Sequence, residues 1–140
     1  MAKINVDDVL PSVTKTITQE KIELFEDCGI LDRQNIHNNP EIAKQRLKFD
    51  HPIASGRMSV TYAAEIIRKF VGEESFNHSG TVNLKYLKPL IQGDTVSVSG
   101  TVVDTEESVK SAIDAKIKCV GFPGNFHKHN SFNLCEIKLN

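Results

Sequence analysis

No apolar run in this 140-residue chain approaches 18 residues, so nothing in it reads as a membrane-spanning helix. The first eight residues lack the apolar centre of a secretory signal. A basic excess is missing too. Seventeen lysines and arginines stand against 18 acids, a formal net charge of −1, which argues against a broad nucleic-acid footprint. That balance still allows a local basic spot for a phosphate-bearing small molecule. Cysteine is scarce: Cys28, Cys119 and Cys135 are odd in number and show no CxxC spacing. They suit reduced thiols better than a disulfide framework or a zinc site, and Cys28 reads as an ordinary buried thiol. Internal repeats and low-complexity segments are absent. These absences lead us to expect a cytoplasmic protein that engages neither membrane nor nucleic acid.

The residues that remain, 39% hydrophobic and 25% charged, are those of one globular domain over residues 1–140. A chain of this length buries roughly 68–70% of its unfolded surface, enough for one core. A lead-in with Pro11 precedes a short strand from Val13 to Ile17. Thr18 is placed to cap a short helix carrying Ile22 and Phe25, and Gly29 is its natural stop. Asn39, Pro40 and Glu41 read as N-cap, first-position proline and first-turn acid of a second helix. This helix reaches about Leu47, with Ile42, Ala43 and Leu47 inward. A connector from Phe49 to Ala54 follows.

After Ser55 and Gly56 comes a helix that is apolar or small on most sides and stops at Gly72, a pattern for a buried helix. Tyr62, Ala63, Ile66, Ile67 and Phe70 are its expected core residues. The period then changes to two. Val82, Leu84 and Tyr86 alternate up to Pro89; Gln92, Gly93 and Asp94 form a turn; Val96, Val98 and Val102 face opposite Thr95, Ser97, Ser99 and Thr101. Ile113, Ala115, Ile117 and Cys119 alternate again, a loop covers Gly121 to Asn130, and a last strand with a bulge or a change of face runs from Ser131 to Leu139. The economical packing is α+β: a curved antiparallel sheet of about five strands wrapped around a buried central helix.

Within this outline, Asp32 and His37 set an acid and an imidazole five positions apart, just before a helix start. By spacing alone, Asp32 as a turn cap and His37 as a backbone-bonded loop histidine are the stronger readings, ahead of an acid/base pair. Gly56 alone is as readily a helix-entry glycine. The pair His127 and His129 around Lys128 has no carboxylate or cysteine at ligand spacing and reads as an exposed loop, not a metal site.

Three pieces in order make a stronger pattern: Asp32 to His37, Pro52 to Gly56, and Tyr86 to Asp94. They resemble the MaoC-like (R)-specific enoyl-CoA hydratases and dehydratases, which have the hotdog fold. That family carries G-D-x-N-P-[LIV]-H, then P-I-[AV]-H-G-M before the central helix, then F-x-x-P-[VI]-x-x-G-D. The resemblance covers roughly residues 14–105, and more loosely the whole chain. Leu31 stands here for the glycine, Gln34 and Asn35 for the Asn-Pro pair, Ser55 for the histidine before the glycine and Arg57 for the methionine after it. A serine of some members falls near Ala64.

The resemblance implies that Asp32 and His37 activate water and that the Gly56 N–H polarises a thioester carbonyl. Histidine's ordinary pKa of about 6.5 suits the first task. A helix N-terminus, with free N–H groups and no Cβ in the way, suits the second. Arg57 is placed to meet a substrate carboxylate or a coenzyme A phosphate, or is simply a solvated first-turn residue. Lys85 and Lys88 are placed for phosphates or for solubility. Asn35 and Ser55 border the site, and Asn35 either orients the acid/base pair or makes a turn. No separate cofactor is implied, since coenzyme A or an acyl carrier belongs to the substrate. Exposed sheet edges and the resemblance suggest a homodimer. A non-catalytic subunit or acyl-thioester-binding partner is the alternative, and a hotdog thioesterase using Glu65 ranks after it.

Overall fold

The structure is a computed structural model that describes residues 4–29, 34–79, 82–107, 113–123 and 132–136. In chain order its elements are β1 (Val13–Thr16), α1 (Gln19–Asp27), α2 (Pro40–Leu47), α3 (Gly56–Val71), α4 (Glu73–Ser79), β2 (Asn83–Tyr86), β3 (Thr95–Glu107), β4 (Ile113–Pro123) and β5 (Phe132–Glu136). The strands form one five-stranded antiparallel sheet in the order β1-β3-β4-β5-β2.

The alternation of β3 is used as expected. Val96, Val98 and Val102 are wholly buried and belong to the same cluster as Ala63, Ile66 and Ile67 of α3. Fully burying an aliphatic side chain of this kind stabilises by about 1.5–3 kcal/mol each, so the seam between α3 and β3 is the principal apolar contact. Tyr62 and Phe70 depart from expectation: they are only partly buried and flank the cluster, while Met58, Ser59 and Val71 complete the inner face. A sixteen-residue helix turns its stripe past the sheet, so its ends present different residues from its middle.

Other boundaries shift for identifiable reasons. Ile17 lies past β1 but is fully buried, held by Asp94 O accepting from its N–H. Of the expected inner face of α2, Ala43 alone is buried; Ile42 is half-buried and Leu47 is exposed. Cys28 caps α1 at its C-terminal end and is exposed, not buried. Gly72, at φ +89°, ends α3 as expected, yet its carbonyl then accepts from the Phe76 N–H and α4 begins at once. The sequence reading stopped at that glycine and missed α4. β4 continues to Pro123, two residues beyond the expected start of the loop, because Gly121, Phe122 and Pro123 still pair with β3. Against β2, the step from Asn83 to Lys85 matches the longer step from Glu136 to Asn133, which places the expected bulge in β5. Ile137, Leu139 and most of the expected 121–130 loop, with its two histidines, lie outside the described residues.

Lys15 of β1 and Lys69 reach the same Glu65 carboxylate on α3, at 2.6 and 2.7 Å. The hydrogen bond from Lys15, then that from Lys69, holds the Glu65 carboxyl below the usual carboxylate range. A depressed folded pKa contributes stability above the unfolded pKa and loses it as pH falls through the folded value. The melting-temperature gap between wild type and Glu65→Gln should therefore be constant at neutral pH. It should close as pH falls below the ordinary carboxylate pKa of about 4.

Candidate active site

The site is a junction of three chain segments, each fixed by backbone hydrogen bonds. The first is the loop before α2. Asn35 Oδ1 accepts from the His37 N–H at 2.7 Å, an Asx turn, and Asn38 Oδ1 accepts from the Asn35 N–H at 2.7 Å. Asn35 Nδ2 donates to Glu26 Oε2 at 2.9 Å, tying the loop to α1, and the Asn35 carbonyl accepts from the Asn39 N–H. Asn35 thus spends both ends of its amide and both backbone groups on shaping the turn that carries His37. Asn39 closes the loop by capping α2: its Oδ1 accepts from the N–H groups of Glu41 and Ile42, and its Nδ2 donates to Gln34 Oε1. Asn39→Ala should lower stability by about 1 kcal/mol, the usual worth of such a cap, measured by urea unfolding.

The second segment is Ile53 to Gly56. The Ile53 N–H donates to the Ile36 carbonyl at 3.2 Å, and the Ile53 carbonyl lies 2.8 Å from His37 Nδ1. A carbonyl oxygen can only accept, so Nδ1 carries a proton, and in a neutral imidazole that leaves the lone pair on Nε2. Ser55, itself buried, then caps α3: its Oγ accepts from the Arg57 N–H at a long 3.4 Å, and its carbonyl accepts from Met58 N–H at 2.9 Å. Gly56 is the first residue of α3, where N–H groups have no partner within the helix. None of the described residues accepts from its N–H.

The third segment follows β2. Ala54 N–H donates to Leu90 O at 2.7 Å, and Ile53 bridges to Ile91, so the stretch after Pro89 lies alongside the approach to Gly56. The turn beyond it forms as expected, with Gly93 at φ +90° and Asp94 Oδ2 accepting from the Ile91 N–H. This pairing brings Tyr86 onto Gly56. A Cβ at Gly56 would stand 3.0 Å from Tyr86 Cζ, 3.2 Å from Cε1 and 3.4 Å from Cε2. Tyr86 is half exposed and lies with the hydroxyl end of its ring over the start of α3. Burial pushes its phenol above the ordinary tyrosine range.

The three motif pieces therefore meet around Ile53. His37 and Gly56 are both anchored there, one through its ring and one through its chain. Asp32, with Leu31, lies outside the described residues. Arg57 and Lys85 are exposed and Lys88 is half-buried, and among the described residues none of the three is ion-paired. Among the described residues, no three histidine, cysteine or acidic side chains gather closely enough to hold a metal ion, and no helix is long and apolar enough to cross a membrane.

The family profile of the MaoC-like domain matches residues 4–120 of the chain. The chain belongs to that family. No curated protein matches it by sequence. Among solved structures, this MaoC-like chain is similar to an (R)-hydratase from A. caviae involved in PHA biosynthesis. The two are 17% identical with a TM-score of 0.77, over the whole of both chains. It is similar as well to a chain of the HadBC (3R-hydroxyacyl-ACP dehydratase) complex from Mycobacterium tuberculosis, at 12% identity and a TM-score of 0.75, again over both whole chains. A third likeness is to the ChsH1-ChsH2 complex from the same organism, at 15% identity and 0.75, covering 99% of this chain and 100% of that one. At such identities the likeness is one of fold, the hotdog fold in its MaoC-like form.

Proposed function

We propose that the protein is an acyl-thioester hydro-lyase, adding water to a 2-enoyl-CoA or removing it from an (R)-3-hydroxyacyl thioester. The observation that carries this reading is the fixed tautomer of His37. Its Nδ1–H is committed to the Ile53 carbonyl, so Nε2 is free to accept a proton from water. In this reading Asp32 grips the same water. The Gly56 N–H, three residues along the chain from the carbonyl that orients His37, binds the thioester oxygen. Water's oxygen bonds to the β-carbon, and charge builds on the thioester oxygen facing Gly56. A proton from the acid/base pair then completes the α-carbon. Removing a single donor of this type typically costs about 2.7–4 kcal/mol of barrier.

Arg57, Lys85 and Lys88 have no ion-pair partner among the described residues and lie on the segments that carry Gly56 and Tyr86. We assign them to the phosphates of coenzyme A or to a substrate carboxylate. Ser55 and Asn35 serve by holding Gly56 and His37 in place. The sheet in this reading curves around α3, and the edge strands β1 and β2 offer pairing surfaces for a homodimer, in the cytoplasm. The test is the loss of enoyl-thioester absorbance, with Asp32→Asn and His37→Ala beside the wild type. Wild-type rates in both variants would reject the assignment.

A second reading, a non-catalytic subunit or acyl-thioester-binding partner, is favoured by Ser55 and Arg57, which replace the residues expected around Gly56. A stable partner chain carrying its own Asp/His pair, detected by native mass, would decide for it. A thioesterase would need a carboxylate on α3, and Glu65 is held there between Lys15 and Lys69.

A further inference from the structure

We propose that Tyr86 is a second hydrogen-bond donor to the thioester oxygen, acting beside the Gly56 N–H. The inference rests on the hydro-lyase reading and extends its donor side. Three observations support it. The three atoms nearest to a Cβ placed on Gly56 would be Tyr86 Cζ, Cε1 and Cε2, so the hydroxyl-bearing end of the ring lies against the first residue of α3. The Tyr86 side chain is half exposed and its hydroxyl makes no hydrogen bond among the described residues, so it is open to a ligand. The neighbouring side chains have other placements: Ser55 is turned into the cap of α3, and Lys85 is exposed on the alternate face of β2.

The chemistry needs no further reactant. As the water oxygen bonds to the β-carbon, the π pair of the double bond moves to the α-carbon and the thioester oxygen. The proton taken from water passes through the acid/base pair to the α-carbon. Tyr86 keeps its proton throughout and contributes a hydrogen bond that strengthens as negative charge grows on the oxygen. A phenol is protonated at neutral pH, the state a donor requires, and burial moves this one further in the same direction.

The test uses the full chain with Tyr86→Phe and Tyr86→Ala. Tyr86→Phe should lower kcat about 10²–10³-fold, the usual cost of one such donor, while KM moves by only a few-fold. A second readout is the infrared carbonyl stretch of bound butyryl-CoA, a saturated thioester that cannot react. Two donors displace it from its solution value, and Tyr86→Phe should move it part of the way back. Tyr86→Phe with wild-type kcat and an unmoved carbonyl stretch would overturn the proposal and leave the ring as packing for Gly56. If the wild type hydrates no enoyl thioester but binds butyryl-CoA with a Tyr86-sensitive carbonyl, the hydro-lyase reading fails and the donor stands. If it binds no thioester, both fall.

Discussion

His37→Ala should reduce enoyl-thioester hydration about 10²–10⁴-fold, the range attributed to a positioned acid/base group. The size of that loss follows from the hydrogen bond between His37 Nδ1 and the Ile53 carbonyl. That bond fixes the tautomer, and the tautomer leaves Nε2 as the basic atom. The same bond could equally mark a histidine that only pins the loop to the segment before α3. His37→Gln separates the two roles. A glutamine amide can still donate to a carbonyl, but it cannot take a proton from water. A pinning histidine would tolerate glutamine, and activity would track stability. A catalytic one would not. Both variants should then lose activity together, while His37→Ala alone drops stability by about 1 kcal/mol, the net worth of a typical hydrogen bond. Steady-state rates beside urea unfolding of the two variants measure the split.

Gly56→Ala should lower kcat about 10²-fold while the fold is retained. The backbone does not object to alanine here: Gly56 lies outside the positive-φ region, and alanine is a better helix former than glycine. The objection is the Tyr86 ring, with Cζ 3.0 Å from where the new methyl would sit. That ring is half exposed, so it can swing outward at little cost in stability. Swinging it removes the phenol from the donor side of the site, and the methyl occupies space where the thioester must approach the N–H. A glycine kept only for helix entry predicts the opposite result, with stability slightly raised and kcat unchanged. Thermal melting and kcat of the one variant decide between them.

Much of the frame could be read from local pattern. The valines of β3 alternate almost without fault over Val96, Val98 and Val102, and all three are wholly buried. The Asn39-Pro40-Glu41 entry to α2, the Gly72 stop of α3 and the Gly93 turn behave as their backbone chemistry requires. What stayed hidden depends on contacts between distant segments. Nothing local announces that His37 will donate to Ile53, or that Tyr86 will lie over Gly56 thirty residues before it in the chain. The first accompanies the backbone bond from Ile53 to Ile36 and the second the pairing of residues 53–54 with 90–91, and such pairings are properties of the assembled fold. The helix α4 was hidden for a different reason. Gly72 both ends α3 and accepts the first hydrogen bond of the next helix, and a glycine signals only the first of these.

The candidate residues divide along the same line. Gly56 and Ser55 were placed correctly at the start of a buried helix, because a helix start is a local event. Asn35 was legible as a turn-former, but its bond to Glu26 on α1 was not. Tyr86 could have been singled out from the motif position it occupies before Pro89. Its contact with Gly56 gives that position a physical meaning.

The proposed function depends on Asp32 and His37 acting together as an acid/base pair. The most direct measurement follows the absorbance of a 2-enoyl thioester with wild type and Asp32→Asn at equal concentration, with chiral analysis of the product. The expected result is steady conversion by the wild type to the (R)-3-hydroxyacyl thioester and a rate near background for Asp32→Asn. An Asp32→Asn protein that turns over like the wild type, or a wild type that leaves every enoyl thioester untouched, would contradict it.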